Sequence, residues 1–135
     1  MKIIGTVFII CFIVGQSSAG SLINCFITSD TTIKLSGVLK LRKYTNANGR
    51  MEKQPVLELT QKICVNEDPF GGPVKDISNV QIIFLPSKFK NGYQMFISKH
   101  VYIIGQLFYP QSSHHFTKIL LEAYCLVEQN PKTGK

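Results

Sequence analysis

Between Thr32 and Tyr44 the sequence alternates with a period of two, and no other feature constrains the fold as tightly. Ile33, Leu35, Gly37, Leu39 and Leu41 share one face, while Lys34, Ser36, Lys40 and Arg42 share the other. Successive side chains of a strand point to opposite sides of a sheet, so the pattern describes a half-buried strand. Gly37 within it predicts a sharp bend of the kind by which barrels close.

The same reading continues along the chain. Asn46-Ala47-Asn48-Gly49 is turn chemistry, and Val56 to Val65 forms the return strand. Asn66 to Pro73, with two prolines and two glycines, is an irregular loop without the lysine or strand–helix context of a phosphate-binding loop. Val80, Ile82 and Phe84 alternate in a third strand. Pro86 to Ile97 breaks the period. Ser87 can cap a helix on which Phe89, Tyr93 and Phe96 share one face, although Gly92 weakens it by about 1 kcal/mol relative to alanine. Aromatics at that spacing are read as a core plug. Val101 to Tyr109 and Thr117 to Val127 supply a fourth and a fifth strand, and a polar tail follows from Gln129. No internal repeat or low-complexity tract is present. The predicted fold is all-β: an OB-like five-stranded barrel with one short helix between strands three and four. Such barrels bind oligonucleotides, oligosaccharides or proteins across strands two and three, which locates a surface and assigns no function.

The N-terminus predicts export. Lys2 precedes an apolar run from Ile3 to Val14, and Gly15-Gln16-Ser17-Ser18-Ala19 supplies small residues for a signal peptidase. The run is shorter than the roughly 20 residues a spanning helix needs. Residues 1–19 are therefore read as a cleaved signal peptide and 20–135 as one domain, secreted or held in a bacterial periplasm, with no transmembrane segment. Lipid attachment at Cys25 competes, since Leu22 stands three residues before it, but Asn24 suits that reaction poorly. The mature chain has 14 basic and 8 acidic side chains, a charge of +6. The cations are scattered with no run longer than two, so the reading favours a solvated surface over nucleic acid. Cys25, Cys64 and Cys125 remain after cleavage. Antiparallel pairing of the first two strands would bring Cys25 and Cys64 to one end of the sheet, where a bridge closing about 40 residues would contribute about 4 kcal/mol. Cys125 alternates with Ile119, Leu121 and Ala123, which suits a buried thiol.

From Cys25 to Leu126 the chain resembles a bacterial domain-of-unknown-function family, number 4431. The residues carrying the likeness are Cys25, Leu59 with Ile63-Cys64-Val65, Gly105-Gln106-Leu107-Phe108, and His114-His115-Phe116-Thr117. Gln106, Ser113 and Phe116 stand where the family has threonine, glycine and a third histidine, and the loop after the first strand is short. The resemblance implies export, an OB-like fold and a Cys25–Cys64 bridge. It implies no activity.

His114 and His115 lie in a turn between the last two strands. Neighbours on a strand diverge, so one metal could be held only with help from His100 or a carboxylate such as Glu122. No CxxC, Gly-x-Ser-x-Gly, HExxH or GxxxxGK[ST] motif occurs. No catalytic residue, metal ligand or cofactor is assigned. The favoured function is an exported, non-catalytic binding module for a protein, peptide or envelope polysaccharide, an inhibitor or immunity-type role included. Its surface would combine Lys34, Lys40 and Arg42 with His114, His115 and Phe116. The alternative is a small metal-dependent hydrolase centred on the histidine turn.

Overall fold

A computed structural model of the chain describes residues 25–26, 32–65 and 74–129. The expected leader, the expected Asn66–Pro73 loop and the expected tail beyond Gln129 lie outside the described residues. Six strands follow one another: β1 Cys25–Phe26, β2 Thr32–Thr45, β3 Met51–Val65, β4 Val74–Ile83, β5 His100–Phe108 and β6 Leu120–Glu128. β2 pairs antiparallel with both β3 and β5, β5 with β6, and β3 with β4, while β4 and β6 run parallel at Gln81–Ile83 and Leu120–Glu122. The hydrogen bonding of β2 to β6 thus returns on itself as a five-stranded, barrel-like ring of OB type. β1 adds two residues parallel to β3.

Gly37 is the hinge of that ring. It pairs with Leu59 on one edge and with Val101 on the other, so β2 leaves one partner and takes up the next there. A Cβ at this position would overlap the carbonyl oxygen of Glu58. The strands approach too closely for any side chain, in agreement with the bend expected from sequence. The β2–β3 hairpin closes through Asn46, whose Oδ1 accepts the N–H groups of Asn48 (2.9 Å) and Arg50 (3.1 Å). Gly49 takes the left-handed conformation at φ 82°.

The alternating residues fill the interior as predicted. Ile33, Leu35 and Leu39 of β2 meet Leu57, Val80, Ile82, Ile103 and Leu121 in one core. Leu41, assigned to the same face, lies past the end of the ring and is 39% exposed. The segment between the third and fourth long strands is not the predicted helix. Its only helical turn is a 3₁₀ turn, Gln94–Phe96, with no side-chain cap from Ser87 or any other residue. Gly92 at φ 76° and Ser98 at φ 73° leave helical geometry on either side of it. The aromatics still act as the plug: Phe84 stacks on Tyr93 and meets Phe89 edge-on.

Cys125 departs from the expected free thiol. Cys64 and Cys125 are both disulfide-bonded. Cys125 is buried, as its alternation with Ile119, Leu121 and Ala123 suggested, and register explains why it nevertheless lies outside the core cluster. Between Gly105↔Ala123 and Ile104↔Cys125 the β6 strand advances two residues for one on β5. Such a bulge reverses the faces of everything beyond it, so Leu126 enters the core cluster and Cys125 does not. On β3, Cys64 lies opposite Cys25 in the parallel register. The two positions meet through this parallel β1–β3 pairing and not through the antiparallel pairing of β2 and β3 expected from sequence, which begins only at Gly37↔Leu59.

Candidate functional site at the histidine turn

The stretch from Tyr109 to Ile119 folds over the outer face of β3 and β4, and a buried amide holds it there. Gln81 points away from the core yet is only 1% exposed. Its Nε2 donates to the carbonyl of His114 (2.9 Å), and its Oε1 accepts the N–H of Phe116 (2.7 Å). The Gln81 N–H donates in turn to Thr117 Oγ1 (2.9 Å), whose hydroxyl donates to the carbonyl of Ile119 (2.7 Å). Thr117 to Ile119 therefore belong to this turn, and β6 starts at Leu120, later than predicted.

Side chains attach the same turn to the β2–β3 hairpin. His114 Nδ1 lies 2.8 Å from Oε2 and 3.1 Å from Oε1 of Glu52. Glu52 also accepts from Asn46 Nδ2 (2.8 Å) and Gln54 Nε2 (2.6 Å). The Asn46 hydrogen bond, then those from Gln54 and His114 with the His114 charge, hold this carboxyl below its ordinary value against the opposing effect of burial. Phe116 stacks on Tyr44 with ring centroids 4.4 Å apart and planes 3° apart. Burial pushes the Tyr44 hydroxyl up, and the nearby Arg42 charge pulls the other way.

His115 turns in the opposite direction. Its Nδ1 accepts the N–H of Gln111 (2.9 Å), and its ring meets Phe108 of β5 edge-on at 5.5 Å. Burial, and secondly the His114 charge, hold this imidazole below the ordinary histidine value. The two histidines thus serve different walls, and among the described residues no group of three metal-ligating side chains forms.

The cations proposed from sequence do not make one row. Arg42 pairs with Glu58 across the hairpin, and Lys40, opposite Val56, is half-buried on the same outer face. Both lie on the strand whose end carries Tyr44. Lys34 is elsewhere: six residues back along β2, about 20 Å away at strand spacing, with its Nζ 4.6 Å above the Tyr102 ring of β5. Tyr44, Glu52 and Gln81 were not identified from sequence. Tyr44 ends the alternating run and could have been flagged. Gln81 sits between Val80 and Ile82 as any solvent-facing residue would, and only the folded turn buries it.

Between the turn and β4 lies a cleft of about 280 Å³. Tyr44 and Phe116 form its aromatic end, and Asp76, Ser78, Asn79 and Lys118 line it with hydrogen-bonding groups. Asp76 holds φ at 55°, a conformation tolerated by aspartate and often found at functional positions. No family model and no curated protein matches the chain.

Proposed function

We propose that this chain is an exported, non-catalytic binding module, and that its ligand is a saccharide chain of the cell envelope lying along β4 beneath the histidine turn. The observation that carries this reading is the cleft itself. A stacked Tyr44–Phe116 pair stands beside Asp76, Ser78, Asn79 and Lys118 on the face where OB-type barrels take linear polymers. Sugar rings present apolar C–H faces and a dense fringe of hydroxyls. Aromatic carbon with a few placed donors and acceptors suits that mixture. Export is supported by the leader pattern of residues 1–19.

A hydrolase would draw on the His114–Glu52 contact, since a carboxylate on Nδ1 orients an imidazole as a general base. Against it, the His114 side chain is 63% exposed. Among the described residues no serine, threonine or cysteine side chain hydrogen-bonds to either imidazole. Binding therefore fits the groups present better than catalysis does.

The test is a titration of the labelled protein, followed by amide chemical shifts, with envelope oligosaccharides and with short peptides of matched length. Shifts should cluster at Tyr44, Asn79, Thr117 and Lys118 with saccharides alone, and Phe116→Ala should weaken binding at least tenfold. Binding of peptides in preference to saccharides at these amides would overturn the ligand class. Turnover of a saccharide, lost in His114→Ala, would overturn the non-catalytic reading.

A further inference from the structure

A second cleft opens at the other end of β2, and its cause is a seam in the ring. β2 pairs with β3 only from Gly37↔Leu59 onward, although it continues beside β5 as far as Thr32↔Gln106. On β3 the register to β4 jumps from Glu58↔Asn79 to Ile63↔Ile77. Among the described residues, therefore, Thr32–Ser36 have a strand partner on one edge only, and Thr60–Lys62 have none. The strands diverge around a cavity of about 480 Å³ with Leu35, Leu59 and Ile63 at its floor and Lys34 and His100 at its rim.

Among the described residues such a seam has the form of a strand acceptor, because extended backbone without a ladder partner on one edge pairs with a chain that can reach it. β3 already takes a strand on this edge. β1 pairs with Cys64 and Val65, and since Ile63 and Val65 pair with β4 on the other edge, β1 lies on the side that β2 vacates.

Charge selects the occupant. Lys34 and Lys62 share the outer face of their strands and are exposed, as is His100. Among the described residues no carboxylate lines the cavity. Glu58 and Glu128, next in sequence to lining residues, are paired with Arg42 and Lys99. The chain's own residues before Cys25 carry no charged side chain from Ile3 to Asn24, so they offer these cations nothing.

We propose that the β2–β3 seam binds an extended acidic segment of a partner protein as an added strand. Its Asp or Glu side chains alternate outward to Lys34, Lys62 and His100, and its small apolar side chains face inward over Leu35, Leu59 and Ile63. This site is separate from the histidine turn and does not depend on the saccharide reading.

The test uses the purified protein expressed from its full sequence, titrated with an eight-residue peptide alternating Asp or Glu with Val, and with the same peptide carrying Lys for each acid. The acidic peptide should bind and slow amide exchange at Lys34, Ser36 and Gln61. Its affinity should fall at least tenfold in Lys34→Glu/Lys62→Glu and fall again in high salt, as expected for exposed charges. The basic peptide should bind the double variant better than the parent. Equal binding of both peptides, or of neither, would overturn the proposal. So would slow exchange at those three amides in the peptide-free protein, because the seam would then be filled from within the chain.

Discussion

Replacing Gln81 by methionine isolates what one buried amide does for the histidine turn. The two side chains are close in length and volume, so Gln81→Met leaves little cavity and removes two hydrogen bonds, to the His114 carbonyl (2.9 Å) and from the Phe116 N–H (2.7 Å). A typical hydrogen bond contributes about 1 kcal/mol net, and a backbone group left buried without a partner costs about 1–3 kcal/mol. His114 is exposed and Phe116 half-buried, so water can reach part of what is lost. The expected loss is therefore about 2 kcal/mol, near the lower end of that range. For a domain of about 100 residues this lowers Tm by roughly 8–15 °C. Thermal unfolding followed by circular dichroism measures the shift. Amide exchange adds the local signature: Phe116 N–H should exchange much faster, while Ile103 and Leu121 in the core change only with global stability. A Gln81→Met protein with unchanged Tm and an equally slow Phe116 amide would refute the argument, since the turn would then be held by Glu52 and Tyr44 alone.

Gly37→Ala should destabilise by about 3 kcal/mol or more, read by urea unfolding, because a Cβ there meets the Glu58 backbone and the hinge strands must separate. A Tyr44→Ala and Phe116→Ala double-mutant cycle should return a coupling of about 0.5–1.5 kcal/mol from the stacked rings, and additive losses would show that the stack contributes nothing beyond burial. Acidification should weaken the turn in two steps. His115, held below 6.5 when folded, contributes stability above that value that is lost as the pH falls through its folded value. Glu52, held below 4.5, contributes above that value and loses it at still lower pH. Phe116 amide exchange, corrected for its intrinsic pH dependence, should therefore accelerate on acidification, and faster opening at alkaline pH would contradict both assignments. Non-reducing peptide mapping of the chain with residues 1–19 retained should find Cys64 linked to Cys25, the residue opposite it in the β1–β3 register, and Cys125 linked to Cys11, the one cysteine left, and a Cys64–Cys125 fragment would contradict that pairing.

The strands were legible because alternation is a local signal. Ile33, Leu35 and Leu39 declare their face without knowledge of what they will meet, and five such runs with turn chemistry between them already imply a ring of OB type. The helix expected over Pro86–Ile97 failed because its aromatics were buried for a different reason. Phe89, Tyr93 and Phe96 are drawn to the core as a plug, and Gly92 and Ser98 adopt positive φ to deliver them there. Spacing that suits a helix is also spacing that a compact loop can produce.

What the sequence determined by itself was therefore face and order: which side of each strand is apolar, that Gly37 marks a bend in the first long strand, and that the histidines occupy a turn between the last two strands. Tertiary structure decided what those faces do. The bulge beside Gly105 moved Cys125 off the core face, the pairing of β2 with β5 set Lys34 over the Tyr102 ring, and the fold of the 109–119 turn buried Gln81 and set Phe116 on Tyr44. Each outcome depends on register between residues far apart in the chain. Alternation repeats every two residues, so it is unchanged by sliding one strand past another by two; only the closed ring makes one register compatible with all the others.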